Sequence, residues 1–223
     1  MYLSRLEINP FRRKTIDALN SPQIMHACVM SSFPSLSLQS DRVLWRIDRL
    51  GAATYLMVQS DSKPDFAHLI DQMGWPSSGQ QWESVDYEQF LNKLHEGQTW
   101  RFRLKANPVR RVSGNRDDRS AGKTVHHVTI EQQKKWLIDR SAKCGFSIPN
   151  ISGCDVPGFD IKQRALKQFD RNGSRVTISM VTFEGVLKIE DSDVFRETIC
   201  RGIGKAKAYG CGMLTLAREH EQH

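Results

Sequence analysis

Cysteine is scarce and scattered in this chain: Cys28, Cys144, Cys154, Cys200 and Cys211 are the five in 223 residues. None forms a Cys-x-x-Cys pair, so neither a zinc site nor a disulfide framework is indicated, and a reducing cytoplasm is the default compartment. Long apolar runs are missing as well. Nothing approaches the ~18 residues of a membrane span, so no membrane partner is expected. The opening Met1-Tyr2-Leu3-Ser4-Arg5 lacks the build of a secretory signal. Two nucleotide-binding loops fail at specific positions. Gly122-Lys123-Thr124 ends like a phosphate loop, but Asp117 stands where that loop needs glycine. Gly202 and Gly204 begin a dinucleotide pattern whose third glycine would fall at Lys207, after a helix rather than a strand. Metal ligation is equally poorly supported. His126 and His127 are adjacent, which in a strand sends them to opposite faces. His68 and His95 read as surface residues, and His220 and His223 lie in a polar tail. No metal and no cofactor are expected.

Positive charge is what the chain does have. The formal net charge is +7, and it is unevenly placed. Residues 1–97 hold 9 Lys/Arg against 11 Asp/Glu, whereas residues 98–223 hold 23 against 14. A basic half on an otherwise ordinary soluble composition favours a polyanionic partner such as nucleic acid.

Hydrophobic spacing predicts a strand over 2–8, then a basic connection at Arg12, Arg13 and Lys14. A helix over 22–30 follows, started by the Ser21-Pro22 pair, with Ile24 and Cys28 inward and His26 outward. Strands are predicted at 43–48 and 52–59, helices at 65–73 and 87–94, and a strand at 100–106 with Arg101, Arg103 and Lys105 on its solvent face. That order is βαββαβ, a ferredoxin-like unit. After a basic connection at 111–123 the order repeats less clearly. A strand begins at 124, a helix runs from 130 to 143, and strands at 161–169 and 175–183 flank an Asn172-Gly173 hairpin turn. A strand at 186–189 and a helix over 194–201, capped by Asp193, come next. The expected fold is therefore α+β, two tandem ferredoxin-like domains at 1–110 and 124–223.

Two features carry chemistry. The glycine-rich stretch from Gly202 to Gly212 includes Gly204, Lys205, Lys207 and Gly210; it reads as a tight turn or as a loop holding an anion. The hairpin brings Lys162, Arg164, Lys167, Arg171 and Arg175 together. His26 reads as an ordinary surface histidine or as a proton-transfer residue, since a histidine pKa near ~6.5 suits general acid–base work.

Together these residues resemble the CasE family of type I-E CRISPR systems, in the repeat-associated mysterious protein (RAMP) superfamily. Leu3 to Pro10 ends in the family's Asn-Pro. Ser21-Pro22-Gln23-Ile24-Met25-His26 is similar to its Asn/Ser-Pro-x-x-Met-His helix. Phe102-Arg103-Leu104-Lys105-Ala106-Asn107-Pro108 matches its Phe-Arg-Leu-x-Ala-Asn-Pro strand. Phe183-Glu184-Gly185-Val186-Leu187 and the glycine loop complete the set, in family order. The resemblance implies a metal-independent endoribonuclease that cuts CRISPR repeat RNA at the 3′ base of its hairpin. It also implies that the product is retained within the Cascade complex, and that the isolated chain is a monomer. His26 falls at the family's catalytic histidine. Several relatives carry a tyrosine three residues earlier and some a lysine five residues later; here Gln23 and Ser31 stand there. Gln23 is left a supporting role, a hydrogen bond to the phosphate or the 2′-hydroxyl. Two alternatives remain. A non-catalytic RNA-binding RAMP subunit would share the fold without needing His26. A two-domain RNA-recognition protein would read bases on sheet aromatics, and the chain has no run of the Lys/Arg-Gly-Phe-Gly-Phe type to do so.

Overall fold

The computed structural model describes residues 1–33, 42–75, 82–112, 123–171 and 173–218, without the side chain of Arg171. The serine-rich stretch 35–40, residues 76–79, most of the basic connection (113–122), Asn172, His220 and His223 lie outside the described residues.

Strand β1 (Tyr2–Ile8) buries Ser4, Leu6 and Ile8 and exposes Arg5, the two-residue period of a strand covered on one face. The basic run expected as a connection is instead the start of helix α1 (Arg13–Asn20), which buries only Thr15 and Ala18. So small a buried face leaves little apolar periodicity to read. Helix α2 (Pro22–Met30) starts as expected: Pro22 sits in its first turn and the Ser21 hydroxyl accepts from the Ile24 amide at 3.4 Å. Strands β2 (Val43–Leu50) and β3 (Ala53–Ser60) form a hairpin, followed by helix α3 (Ala67–Met73) and strand β4 (Trp82–Asp86). The sheet order is β2-β3-β1-β4, antiparallel throughout. Leu6, Ile8, Met25, Val29, Leu56 and Phe66 form its core against the helices.

The second sheet repeats the plan. Strand β5 (Thr99–Ala106) is followed by a small ribbon of β6 (Val109–Arg111) and β7 (Thr124–His126), then by helix α5 (Ile130–Ser141). A full capping box between Thr129 and Gln132 starts α5. Strands β8 (Phe146–Ser147), β9 (Phe159–Arg171) and β10 (Ser174–Ile189) lead to helix α6 (Ser192–Arg201) and strand β11 (Leu214–Ala217). The order is β11-β5-β10-β8, with β9 also on β10. Each sheet thus has its first and third long strands at the centre, the ferredoxin-like arrangement. The fold class is α+β with two such units in tandem.

The division between the units differs from the expected one. Strand 99–106 does not close the first sheet; it pairs with β10 and β11 at the centre of the second. The first sheet is closed by β4, whose WESVD sequence has no fully buried residue and so gives little strand signal. A division after residue 110 would cut the second sheet. The packing changes over after Asp86, because Tyr87, Leu91 and Leu94 are already buried in the second core. The helix expected over 87–94 shrinks to one turn, α4 (Glu88–Leu91). The two strands expected at 175–183 and 186–189 are one, and helix α6 is capped by Asp191 rather than Asp193. No helix of the described residues is long and apolar enough to cross a membrane.

Most of the hydrogen bonds that join the units run in one direction. Side chains of the first donate to backbone carbonyls of the second: Arg42 to Arg201 (3.1 Å), Trp45 to Ala208 (3.2 Å) and Gln59 to Ile199 (2.8 Å). Arg46 donates to the carbonyls of Arg103 (2.9 Å) and Met213 (3.1 Å). It is 2% exposed, and its other donors reach both Asp48 oxygens (2.8 and 2.7 Å) and Thr215 Oγ1 (2.8 Å). All five N–H groups of the guanidinium are thereby used. That full satisfaction is what makes a buried cation tolerable.

Candidate functional site

Helix α2 buries Pro22, Met25, Cys28 and Val29, a stripe at three- and four-residue spacing. Ile24, expected inward, is 38% exposed. His26, expected to be exposed, is half-buried, and its ring meets that of Tyr209 edge-on at 6.5 Å between centroids. Gln23 is exposed one turn before His26. Ser31 ends the helix: its hydroxyl donates to the Cys28 carbonyl (2.8 Å) and lies 2.8 Å from His68 Nε2.

Tyr209 belongs to the glycine loop, which closes back on its own protein. Gly202 has φ 72°, and a Cβ there would lie 2.8 Å from Leu44 Cδ1 and 2.9 Å from the Gly212 carbonyl. Gly210 has φ 79°, and a Cβ there would lie 2.7 Å from the Trp45 ring. These glycines are required by positive φ and by intramolecular packing. Gly204 and Gly212 share the positive φ. Of the two loop lysines, Lys205 donates to Thr124 Oγ1 at 3.1 Å. Lys207 is half-buried, and burial lowers its pKa, assisted by the charges of Arg42 and Arg201. Tyr209 also packs on Phe169 of β9 at 4.8 Å. It therefore joins the glycine loop, helix α2 and the basic hairpin. Sequence reasoning passed over it; its one signal is an aromatic residue inside a glycine-rich stretch.

The hairpin cations divide between two faces. A bulge opposite Thr182 and Phe183 falls at Lys162, and Lys162 and Lys167 both line a cleft between the units. Lys167 Nζ also donates across to the Leu19 carbonyl at the end of α1 (3.2 Å). Arg164 reaches the Val128 carbonyl, and Arg175 donates to Gln168 Oε1 at 2.6 Å. The cleft has a volume of about 510 Å³ and runs from the α1–α2 corner and the β2 edge to the open face of the second sheet. Arg103 and Lys105 line it, and Arg101 is exposed. Among the described residues no group of three His, Cys, Asp or Glu side chains comes together as a metal site.

A family model described as CRISPR associated protein matches residues 1–218 of this chain. The chain belongs to this family. Among the CRISPR associated proteins it is 30% identical over 227 residues to the CRISPR-associated endoribonuclease Cse3 of Thermus thermophilus, covering 97% of this chain and all of that one. It is 26% identical over 166 residues to the Cascade subunit CasE of Escherichia coli, covering 72% and 79% of the two chains. A solved structure of Thermus thermophilus Cse3 bound to an RNA representing a pre-cleavage complex superposes with a TM-score of 0.79 at 28% identity. It covers 97% of this chain and 98% of that one. The likeness thus spans both units and includes helix α2, the hairpin and the glycine loop of this CRISPR associated protein.

Proposed function

We propose that this protein is a metal-independent endoribonuclease acting on CRISPR repeat RNA, with His26 as its catalytic residue. The observation that carries this reading is the contact between His26 and Tyr209, which brings helix α2 and the glycine loop of the second unit into one site beside a basic hairpin. Similarity to an endoribonuclease over the whole chain supports it. The RNA's own 2′-hydroxyl attacks the adjacent phosphate, and the bond to the 5′-oxygen breaks. The products are a 2′,3′-cyclic phosphate and a 5′-hydroxyl; one proton leaves the 2′-oxygen and one reaches the leaving 5′-oxygen. His26 moves one of these protons, a contribution of about 10²–10⁴-fold. Gln23 has no proton to exchange at neutral pH and acts as a hydrogen-bonding group on the phosphate. Lys205, Lys207 and the exposed backbone at Gly204 hold the RNA near the cut, while Gly202, Gly210 and Gly212 turn into the protein and shape the loop. Arg164, Arg171 and Arg175 of the hairpin, with Lys162 and Lys167 on its cleft side, track the stem by its backbone and shape. The cut falls at the 3′ base of the repeat hairpin. The product stays bound as a subunit of a Cascade complex, and the protein works in the cytoplasm as a monomer when isolated.

The test is to incubate the purified chain with repeat RNA in EDTA and map the product ends. A 2′,3′-cyclic phosphate at the stem base is expected, with His26→Ala slowing cleavage at least about 10²-fold. Wild-type rates in that variant would sink the assignment.

A further inference from the structure

The cleft between the units has a composition that the reaction above does not use. Its walls carry Arg49, Arg103, Lys105, Lys162 and Lys167 against two carboxylates, Asp48 and Glu184. Both carboxylates are already committed to Arg103, at 3.5 and 2.5 Å, and Asp48 also binds Arg46. Lys105 stands out. It projects from the C-terminal end of β5, and among the described residues its ammonium has neither a hydrogen bond nor an ion pair. Burial is the main cause that pushes its pKa down, with the charges of Arg46 and Lys167 adding to the effect. A partly desolvated cation without an acceptor costs stability, and inside the fold only Asp48 and Cys211, neither of them hydrogen-bonded to it, offset part of that cost. An anion from outside would offset the rest. The rest of the lining suits an aromatic ring, with Tyr209, Met25, Met180 and Ala165 on the walls. A volume of about 510 Å³ falls in the size range of small-molecule sites. Met25 precedes His26 on α2, and Tyr209 touches the His26 ring, so the cleft lies next to the proposed site of cutting.

We propose that the cleft is a second RNA-contact site, which takes one unpaired nucleotide flanking the stem and seats its phosphate on Lys105. The base lies against Tyr209 and the methionine thioethers. Lys162 closes the phosphate side. This proposal rests on the reading of the protein as a repeat-RNA enzyme, but it fails or stands separately from the role of His26. It also gives Lys105 a reason to remain a lysine, because methionine would fill the same space without the desolvation cost.

The experiment uses the full chain carrying His26→Ala, so that bound RNA stays intact. Affinity is measured across a salt series for a blunt repeat hairpin and for the same hairpin with unpaired flanking nucleotides, with and without Lys105→Met. Lys105→Met is expected to cut the affinity advantage of the flanked RNA about tenfold. It is also expected to lower the salt slope on that RNA by about 0.7. The melting temperature of the free variant is expected to hold or rise, which a lysine serving only the fold would not allow. Equal losses on both RNAs, no loss on either, or a fall in melting temperature would overturn the proposal. Two further arms test the ligand. A photoreactive base in the flank must crosslink to peptides containing Met25, Met180 or Tyr209; crosslinks only elsewhere would overturn it. A free nucleoside monophosphate must compete only weakly; tight, Lys105-dependent binding of it would make the site one for free nucleotides instead. Loss of the flank effect with intact His26-dependent cleavage in the parent chain sinks the cleft alone, and His26-independent cleavage sinks the catalytic reading alone.

Discussion

His26 and Tyr209 meet from opposite ends of the chain, and the contact between their rings joins the two units at the proposed site. Tyr209 is held by Phe169 on one side and touches His26 on another. Replacing it with alanine leaves both rings unsupported and is expected to slow cleavage about 10²-fold through misplacement of His26, with RNA affinity changed far less. Tyr209→Phe keeps the ring and is expected to retain most of the activity. Single-turnover rates decide the matter: a Phe variant as slow as the Ala variant would mean that the phenol takes part in the chemistry. His26 was legible in the sequence because a short motif surrounds it. Its exposure was not, because Ile24 is apolar yet faces solvent, which rotates the apparent inward face of the helix. Tyr209 was not legible at all, since its importance comes from a contact that no local pattern encodes.

At the scale of elements, strand β2 does the aligning. Trp45 and Arg46 point to opposite faces of it: the indole grips the turn at Ala208, and the guanidinium grips β5 and β11. Removing Arg46, as in Arg46→Ala, leaves Asp48 buried beside a hole and is expected to destabilise the protein by about 3–5 kcal/mol in urea unfolding. The pH dependence follows from Asp48. Burial pushes its carboxyl pKa up, but the Arg46 hydrogen bond and the charges of Arg46, Arg103 and Lys105 outweigh that, and the net shift is downward. In the unfolded chain the group titrates near ~3.9 and so binds a proton first as pH falls. Its stabilisation is therefore fully present above that range and is lost as pH falls toward and through the lower folded value. Acid unfolding of the parent is expected to show this loss, and Asp48→Asn to start less stable and lose less over the same range. An Asp48→Asn variant that tracks the parent would refute the account. The sequence showed β5 correctly as a strand with apolar and cationic faces, since Phe102 and Leu104 are buried; of the cations expected in solvent, Arg101 is exposed but Arg103 and Lys105 are half-buried in the cleft. It could not show which sheet β5 joins, because alternation specifies a strand's faces and not its neighbours.

Over the whole molecule, charge asymmetry foretold a basic half, and the structure shows how that charge is partitioned. Lys162 and Lys167 turn to the cleft, whereas Arg164 and Arg175 hydrogen-bond neutral acceptors and form no ion pair among the described residues. Replacing both arginines with alanine is expected to weaken repeat-RNA binding and to reduce the salt slope by about one for each lost phosphate contact. A slope identical to the parent's, measured by filter binding or fluorescence anisotropy, would remove the hairpin arginines from the interface. The fold class and the tandem plan were legible because element order is carried by local spacing. The cleft was not, since it is built by the angle between two units and not by any stretch of chain.

The joint between the units has a further consequence for how such a protein changes over time. Arg42, Trp45, Arg46 and Gln59 supply the donors, and the acceptors at Arg103, Ile199, Arg201, Ala208 and Met213 are carbonyls that every residue type possesses. Substitution at those five positions leaves the acceptor in place. Substitution at the four donors removes it from use. Along these five hydrogen bonds the second unit tolerates substitution better than the first; where its own side chains and close-packed glycines meet the first unit, at Arg103, Lys167, Thr215, Gly202 and Gly210, it is held as firmly.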